Sequence, residues 1–188
     1  MIDYVGDLSK ADAELLRDYA QNSGRILEFG AGASTQILAS YCRGTVTTVE
    51  TDQRWIEKTR IRLVTLGVEH LVSFRSYDEF SPAGTYDLIF VDGIDPLRQP
   101  FALKTWRFLK VGGAMLFHDT RRTIPHGGSS TTDIQNVCAL IEKHSAEIEL
   151  AMINEEGSNI SALHKRDPLL YVDWNQVEGR TNEQIGIA

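Results

Sequence analysis

The chain predicts a doubly wound α/β fold on a mostly parallel sheet, and three observations carry that expectation. Short apolar segments alternate with amphipathic helical ones along most of its length, the pattern of βαβ units. Tyr86–Val91 is apolar at nearly every position, as a strand buried on both faces of a parallel sheet requires. The run ending at Phe29 turns through Gly30 and Gly32 directly into Ser34-Thr35, a strand-to-helix junction built on glycine.

The elements follow in order. Ser9 with Asp12 makes a capping box, and Ala11, Leu15, Leu16 and Tyr19 space a helix to about residue 22. The first strand is 26–29, followed by a helix over 34–42. The second strand is Thr45–Glu50, closed by Thr51-Asp52. Trp55, Ile56, Thr59, Leu63 and Leu66 mark one face of the next helix, and a strand at 71–74 follows. A polar loop with Pro82 and Gly84 leads to the fourth strand, Tyr86–Val91. Pro96 and Pro100 bracket the next connection, a helix runs to about 109, Gly112-Gly113 turn the chain, and the fifth strand is 114–117. A polar loop over 119–132 precedes a helix to 144. Strands Ile148–Ile153 and 159–164 flank Asn154-Glu155-Glu156-Gly157 and predict a closing antiparallel hairpin. One domain over 1–167 is expected, with a polar, acidic tail at 168–188 whose large anchors are Tyr171 and Trp174.

With 19 basic and 26 acidic side chains the formal charge is −7 and the pI is near 5.2. That balance argues against a nucleic-acid partner, since phosphate-backbone binding rests on Lys and Arg. Cys42 and Cys138 show neither metal-ligand spacing nor a CxxC motif and read as buried free thiols. No apolar run approaches the roughly 20 residues that span a bilayer, and Met1-Ile2-Asp3-Tyr4 does not begin a signal peptide. A cytoplasmic setting and no membrane partner are the expectation; a homodimer, formed through the tail, is an open one.

In an open α/β sheet, ligands bind beyond the carboxyl ends of the strands, at the switch point. The suggestive polar residues all fall at such ends: Glu28 and Gly30 after the first strand, Glu50 after the second, Asp78 after the third, Asp92 after the fourth, and His118 and Asp119 after the fifth. Glu50, about 20 residues beyond Gly30, has the placement of an acid that accepts both ribose hydroxyls. The glycine loop lacks the third glycine of a dinucleotide fingerprint, since position 35 is Thr, and it lacks the Lys of a P-loop. Glu28, just ahead of the glycines, would repel a pyrophosphate. S-adenosylmethionine, with a sulfonium, an ammonium group and no phosphate, suits that acid.

Taken together, Ile26-Leu27-Glu28-Phe29-Gly30-Ala31-Gly32-Ala33-Ser34, Val46-Thr47-Thr48-Val49-Glu50, Tyr86-Asp87-Leu88-Ile89-Phe90-Val91-Asp92-Gly93 and Gly112-Gly113-Ala114-Met115-Leu116-Phe117-His118-Asp119 resemble the class I S-adenosylmethionine-dependent methyltransferases. The resemblance covers about residues 20–165. It implies a Rossmann-like, mostly parallel seven-stranded sheet of order 3-2-1-4-5-7-6 with an antiparallel terminal hairpin. It also implies that Glu28, Gly30, Gly32 and Ser34 line the methionine part of the cofactor, that Glu50 holds the ribose, that Asp78 lies near adenine, and that Asp92 sits beneath the reactive methyl. Val91-Asp92-Gly93 and Phe117-His118-Asp119 look like the small-molecule O-methyltransferases of the catechol and macrolide-sugar type, many of which hold a divalent cation. Asp92 and Asp119 match that metal pattern; Thr120 departs from it, with Asp95 and water as substitutes around Mg²⁺.

The expected activity is methyl transfer to a small-molecule acceptor at a hydroxyl oxygen, with Asp92, His118 and Asp119 as catalytic residues. Removing the acceptor proton needs a base, and His118 and His126 are the candidates, since imidazole titrates near neutrality. Arg121 and Arg122 are placed to grip an anionic group on the acceptor. The rival readings are a nicotinamide-binding oxidoreductase, which has the ribose acid but no Tyr-x-x-x-Lys pair, and a non-catalytic module of the same fold.

Overall fold

The computed structural model describes residue 6 and residues 8–120, 130–153 and 157–169. One sheet contains β1 (Arg25–Phe29), β2 (Thr45–Glu50), β3 (Val72–Ser76), β4 (Tyr86–Val91), β5 (Leu109–Phe117), β6 (Ile148–Ile153) and β7 (Ser161–Lys165). Its order is β3-β2-β1-β4-β5-β7-β6, as expected. The first five strands pair in parallel, and β7 runs antiparallel to both β5 and β6. The order reverses between β1 and β4, which places a crevice beyond their carboxyl ends.

The side-chain alternation of the strands sorts the core into two layers. Leu27, Phe29, Ile89, Val91, Met115 and Phe117 face one side, against Phe101 and Ala102 of α4 (Asp95–Thr105) and Val137 and Leu140 of α5 (Ser130–His144). Ile26, Val46, Leu88, Phe90 and Leu116 face the other. There they meet Leu15, Leu16 and Ala20 of α1 (Lys10–Gln21), Ile37 and Leu38 of α2 (Ala33–Tyr41) and Leu63 of α3 (Gln53–Leu66). Among the described residues no helix is long and apolar enough to cross a membrane.

Local chemistry sets the boundaries. Ser9 and Asp12 form the capping box of α1 reciprocally. Gly67, in the left-handed region, ends α3. Four expectations need correction. Pro96 and Pro100 do not bracket a loop: α4 starts at Asp95, Pro96 suits its first turn, and Pro100 lies inside the helix at the cost of one backbone bond. Gly112-Gly113 do not end a connection; they form an irregularity inside a longer β5, where Gly112 has φ +81° and the register against β4 shifts. β7 starts at Ser161 because Ser158 and Asn159 bond to Asp12 of α1 instead of a neighbouring strand. Cys138 is exposed on the outer face of α5 and Cys42 is half-buried. The tail anchors Tyr171 and Trp174, most of the predicted hairpin turn, Arg121, Arg122 and His126 lie outside the described residues.

Gly30 is a tight point between the ends of β1 and β4. Its φ is +100°, and a Cβ there would lie 2.7 Å from the carbonyl carbon and oxygen of Asp92. Gly30→Ala is therefore expected to destabilise the protein by roughly 2–3 kcal/mol in urea unfolding, combining backbone strain with overpacking. An unchanged midpoint would show that β1 and β4 separate freely at this end.

Candidate active site

A cavity of about 390 Å³ opens over the switch point, within the roughly 300–1,000 Å³ typical of ligand clefts. The glycine loop and the start of α2 form one wall, from Gly30 and Gly32 to Ser34. Glu50 and Trp55 lie on the β2–α3 side, and Asp92, Ile94, Arg98 and Asp119 on the β4–β5 side. Of the residues predicted to bind cofactor, the structure thus brings together Gly30, Gly32, Ser34, Glu50 and Asp92.

Three of the loop's backbone donors are already engaged. The Gly30 N–H donates to the Val49 carbonyl at 2.9 Å, the Ala31 N–H to Glu50 Oε2 at 2.7 Å, and the Gly32 N–H to the Thr35 hydroxyl at 3.0 Å. These three N–H groups are closed to a pyrophosphate, unlike the free donors of a dinucleotide or P-loop site. Glu50 Oε1 accepts from the Thr51 N–H at 2.5 Å, the Thr51 hydroxyl at 3.1 Å and the Asp52 N–H at 2.9 Å. Oε2 accepts one backbone bond among the described residues and so keeps a lone pair for a hydroxyl.

Two predicted cofactor residues lie elsewhere. Glu28 shares its strand face with Ile26, so it points toward α2 and is fully buried behind the loop instead of lining the cavity. Its Oε2 accepts from the Thr48 hydroxyl at 2.7 Å, and its Oε1 has no hydrogen-bond partner among the described residues. Burial raises its pKa to about 7, against the hydrogen bonds of Ser34, Thr35 and Thr48 and with the nearby Asp92 charge. Asp78 is exposed beyond β3 and does not line the cavity, while its neighbour Tyr77 packs on Phe29 at 5.3 Å between ring centroids. The aromatic side chain on the cavity wall is Trp55, 38% exposed in the first turn of α3.

His118 does not fit the role of general base. It follows the face of Leu116 toward α1, is 2% exposed, and has a carboxylate on each ring nitrogen. Nδ1 lies 3.0 Å from Asp92 Oδ1 and 3.5 Å from Asp119 Oδ1, and Nε2 lies 3.5 Å from Asp12 Oδ2. Burial alone would lower its pKa, but Asp92, the Asp12 hydrogen bond and Asp119 outweigh that and push it up to about 10. The ring is an imidazolium at neutral pH with no nitrogen free to take a proton.

Arg98, a residue the sequence reading passed over, lies at the centre of the β4–β5 side. It is 6% exposed and faces four carboxylates: Asp133 at 2.7 Å, Asp92 and Asp95 at 3.3 Å each, and Asp119 at 3.7 Å. Its Nε donates to the Gly93 carbonyl, and Nη1 and Nη2 reach the carbonyls of His118 and Asp92. Burial raises the Asp133 pKa to about 6, opposed by Arg98. A signal for Arg98 was available: it begins the buried face that continues through Phe101, Ala102 and Thr105. Asp12 opens the buried face of α1 in the same way.

Asp92, His118 and Asp119 can bring ligand atoms within 4.8 Å of one another, the one such metal-capable trio among the described residues. The arrangement does not fit the predicted ion. Mg²⁺ requires oxygen ligands at about 2.0–2.1 Å in octahedral geometry. Here the carboxylates converge on the guanidinium and the imidazolium. Thr120, in place of the second acid, turns to the β7 side, where its hydroxyl accepts from Ser161 at 2.7 Å and its N–H donates to Asn159 at 3.1 Å. Asp119 itself adopts φ +64°, a left-handed conformation that Asp tolerates, and accepts from the Asn159 amide at 3.0 Å.

Two outcomes test these assignments. Asp12 accepts from Ser9, Ser158 and Asn159 and faces His118, and those bonds override burial to hold its pKa well below the usual carboxylate range. Asp12→Ala leaves the buried His118 Nε2 and the Ser158 and Asn159 donors without their carboxylate and is expected to cost about 3–5 kcal/mol in chemical denaturation. A loss under about 1 kcal/mol would show that the pair is not coupled. For Glu28, the folded state binds the extra proton between the ordinary carboxyl pKa and about 7, so stability falls as pH rises through that window. Relative to wild type, Glu28→Gln is expected to gain about 3 kcal/mol between pH 4.5 and 7.5, and parallel stability profiles would contradict the raised pKa.

No protein-family model and no curated protein sequence matches the chain. Solved structures do. An O-methyltransferase involved in tomaymycin synthesis, TomG from Streptomyces achromogenes in complex with SAM, is 20% identical with a TM-score of 0.66, over 86% of this chain and 82% of that one. The SAH-bound methyltransferase PaMTH1 of Podospora anserina is 17% identical with a TM-score of 0.70, over 85% and 80%. The N-methyltransferase NodS from Bradyrhizobium japonicum is 18% identical with a TM-score of 0.57, over 84% and 96%. The chain has the Rossmann-like fold shared by these methyltransferases.

Proposed function

We propose that this protein is an S-adenosylmethionine-dependent methyltransferase that acts on a small molecule at a hydroxyl oxygen. The observation that carries the reading is the cavity's chemistry: a glycine loop with three donors already used, set among acids. Glu50, Asp52, Asp92 and Asp119 line it, and the one cation among its described lining, Arg98, is paired with carboxylates. Such a cavity disfavours phosphate and favours a cationic, phosphate-free nucleoside. The residues fit S-adenosylmethionine: Glu50 would take the ribose hydroxyls, Trp55 the adenine face, and Gly30, Gly32 and Ser34 the methionine part. That molecule supplies a methyl group on a positively charged sulfur.

The protein's own part is placement and charge. Asp92 and Asp119 present negative charge on the β4–β5 side, where a cationic centre gains from it. Asp92 is held by His118 Nδ1 and Arg98 Nη2, so its position is set before any ligand binds. With His118 closed off, the carboxylates on the β4–β5 wall, Asp92 and Asp119, are the groups left to take the proton of an acceptor hydroxyl. The oxygen acceptor draws support from TomG, named an O-methyltransferase; NodS, an N-methyltransferase, has the lower TM-score of the two.

Calorimetry tests the cofactor. S-adenosylhomocysteine is expected to bind and NAD not to. Glu50→Ala is expected to weaken S-adenosylhomocysteine by roughly 10- to 100-fold through loss of hydrogen bonds to a charged group, with Glu50→Gln as a gentler variant. Failure of S-adenosylhomocysteine to bind wild type would end the reading. Methyl transfer to a panel of hydroxylated metabolites, against matched amines, tests the oxygen acceptor.

A further inference from the structure

We propose that Arg98 is a built-in cation that takes the position of a divalent metal between Asp92 and Asp119, so that this site operates without one. The inference rests on side-chain geometry alone and stands or falls apart from methyl transfer.

Four carboxylates from four parts of the chain converge on one guanidinium: Asp92 after β4, Asp95 in α4, Asp119 after β5 and Asp133 in α5. Sets of hard oxygen donors gathered from separate elements are how proteins hold divalent cations. Here the charge at their centre is covalently attached. A guanidinium has five N–H donors in a plane and does not lose its proton. All three nitrogens are engaged, by Gly93, by His118 and Asp133, and by Asp92. A free ion would have to displace this network and enter a space that the Arg98 side chain fills at 6% exposure.

The arrangement also accounts for Thr120. The guanidinium takes its further carboxylates from its own helix, as Asp95, and from α5, as Asp133, so the end of β5 needs no further acid. Thr120 is then free to bond Asn159 and Ser161 on the β7 side.

Removing the guanidinium would release the oxygens of Asp92 and Asp119 beside an emptied volume, and with His118 these are the residues whose ligand atoms lie close enough together to hold an ion. The test is Mn²⁺ titration of the full chain, read by electron paramagnetic resonance and water-proton relaxation. Wild type is expected to show no stoichiometric binding. Arg98→Ala is expected to bind a single Mn²⁺ at least roughly tenfold more tightly than wild type, because a positive charge within contact distance has gone. Adding Asp119→Asn should abolish that binding. If Arg98→Ala unfolds, recovery of its circular dichroism on adding Mn²⁺ supports the same conclusion. Stoichiometric Mn²⁺ binding by wild type that Asp119→Asn abolishes would overturn the proposal. So would a folded Arg98→Ala that binds no Mn²⁺, or an unfolded one that Mn²⁺ does not restore.

Discussion

Two buried cations, Arg98 and His118, have to be neutralised where the carboxyl ends of β4 and β5 meet the helices, and much of the structure around the cavity follows from that constraint. A buried charge is tolerated only when it is paired and hydrogen-bonded. Five aspartates meet the requirement, from α1, α4, α5 and the turns after β4 and β5. Elements far apart in sequence are thereby tied to one point. Asp12 shows this best: it caps α1, faces His118, and accepts from Ser158 and Asn159 just before β7. The first helix and the terminal hairpin are thus joined through a single carboxylate.

The acids on the cavity wall therefore have two roles. Asp92 and Asp119 satisfy buried cations on one side and line the ligand space on the other. Glu50 does the same with backbone donors, fastening the glycine loop to the turn before α3 while keeping an oxygen for a ligand. Preorganisation of this kind lets a carboxylate act on a ligand without first being repositioned.

Most of the fold was legible in the sequence because strand alternation and helix periodicity are local signals. The bounds of β2, β4 and β6 were read directly from apolar runs and their polar ends. What failed locally failed for tertiary reasons: β5 extends through Gly112-Gly113 because β4 pairs with it on both sides of the irregularity, and β7 starts late because Asp12 claims Asn159. The site was half legible. Glycine and strand-end acids announced Gly30, Gly32, Glu50 and Asp92. Glu28 was assigned to the ligand although its parity with Ile26 turns it inward, a point the alternation itself contained. The roles of His118, Arg98 and Asp133 depend on partners in separate elements, so spacing along the chain does not reveal them. The visible trace was a charged residue opening an otherwise apolar helix face, at Asp12 and Arg98.

The engaged N–H groups of the glycine loop bear on the affinity of capture. A loop that waits for its ligand to supply hydrogen bonds orders only on binding, and that ordering entropy is subtracted from affinity. Here Val49, Glu50 and Thr35 have already ordered the backbone at Gly30, Ala31 and Gly32, so that entropy was lost during folding. A ligand meeting this wall would find its backbone already bonded and would spend little of its affinity on ordering it.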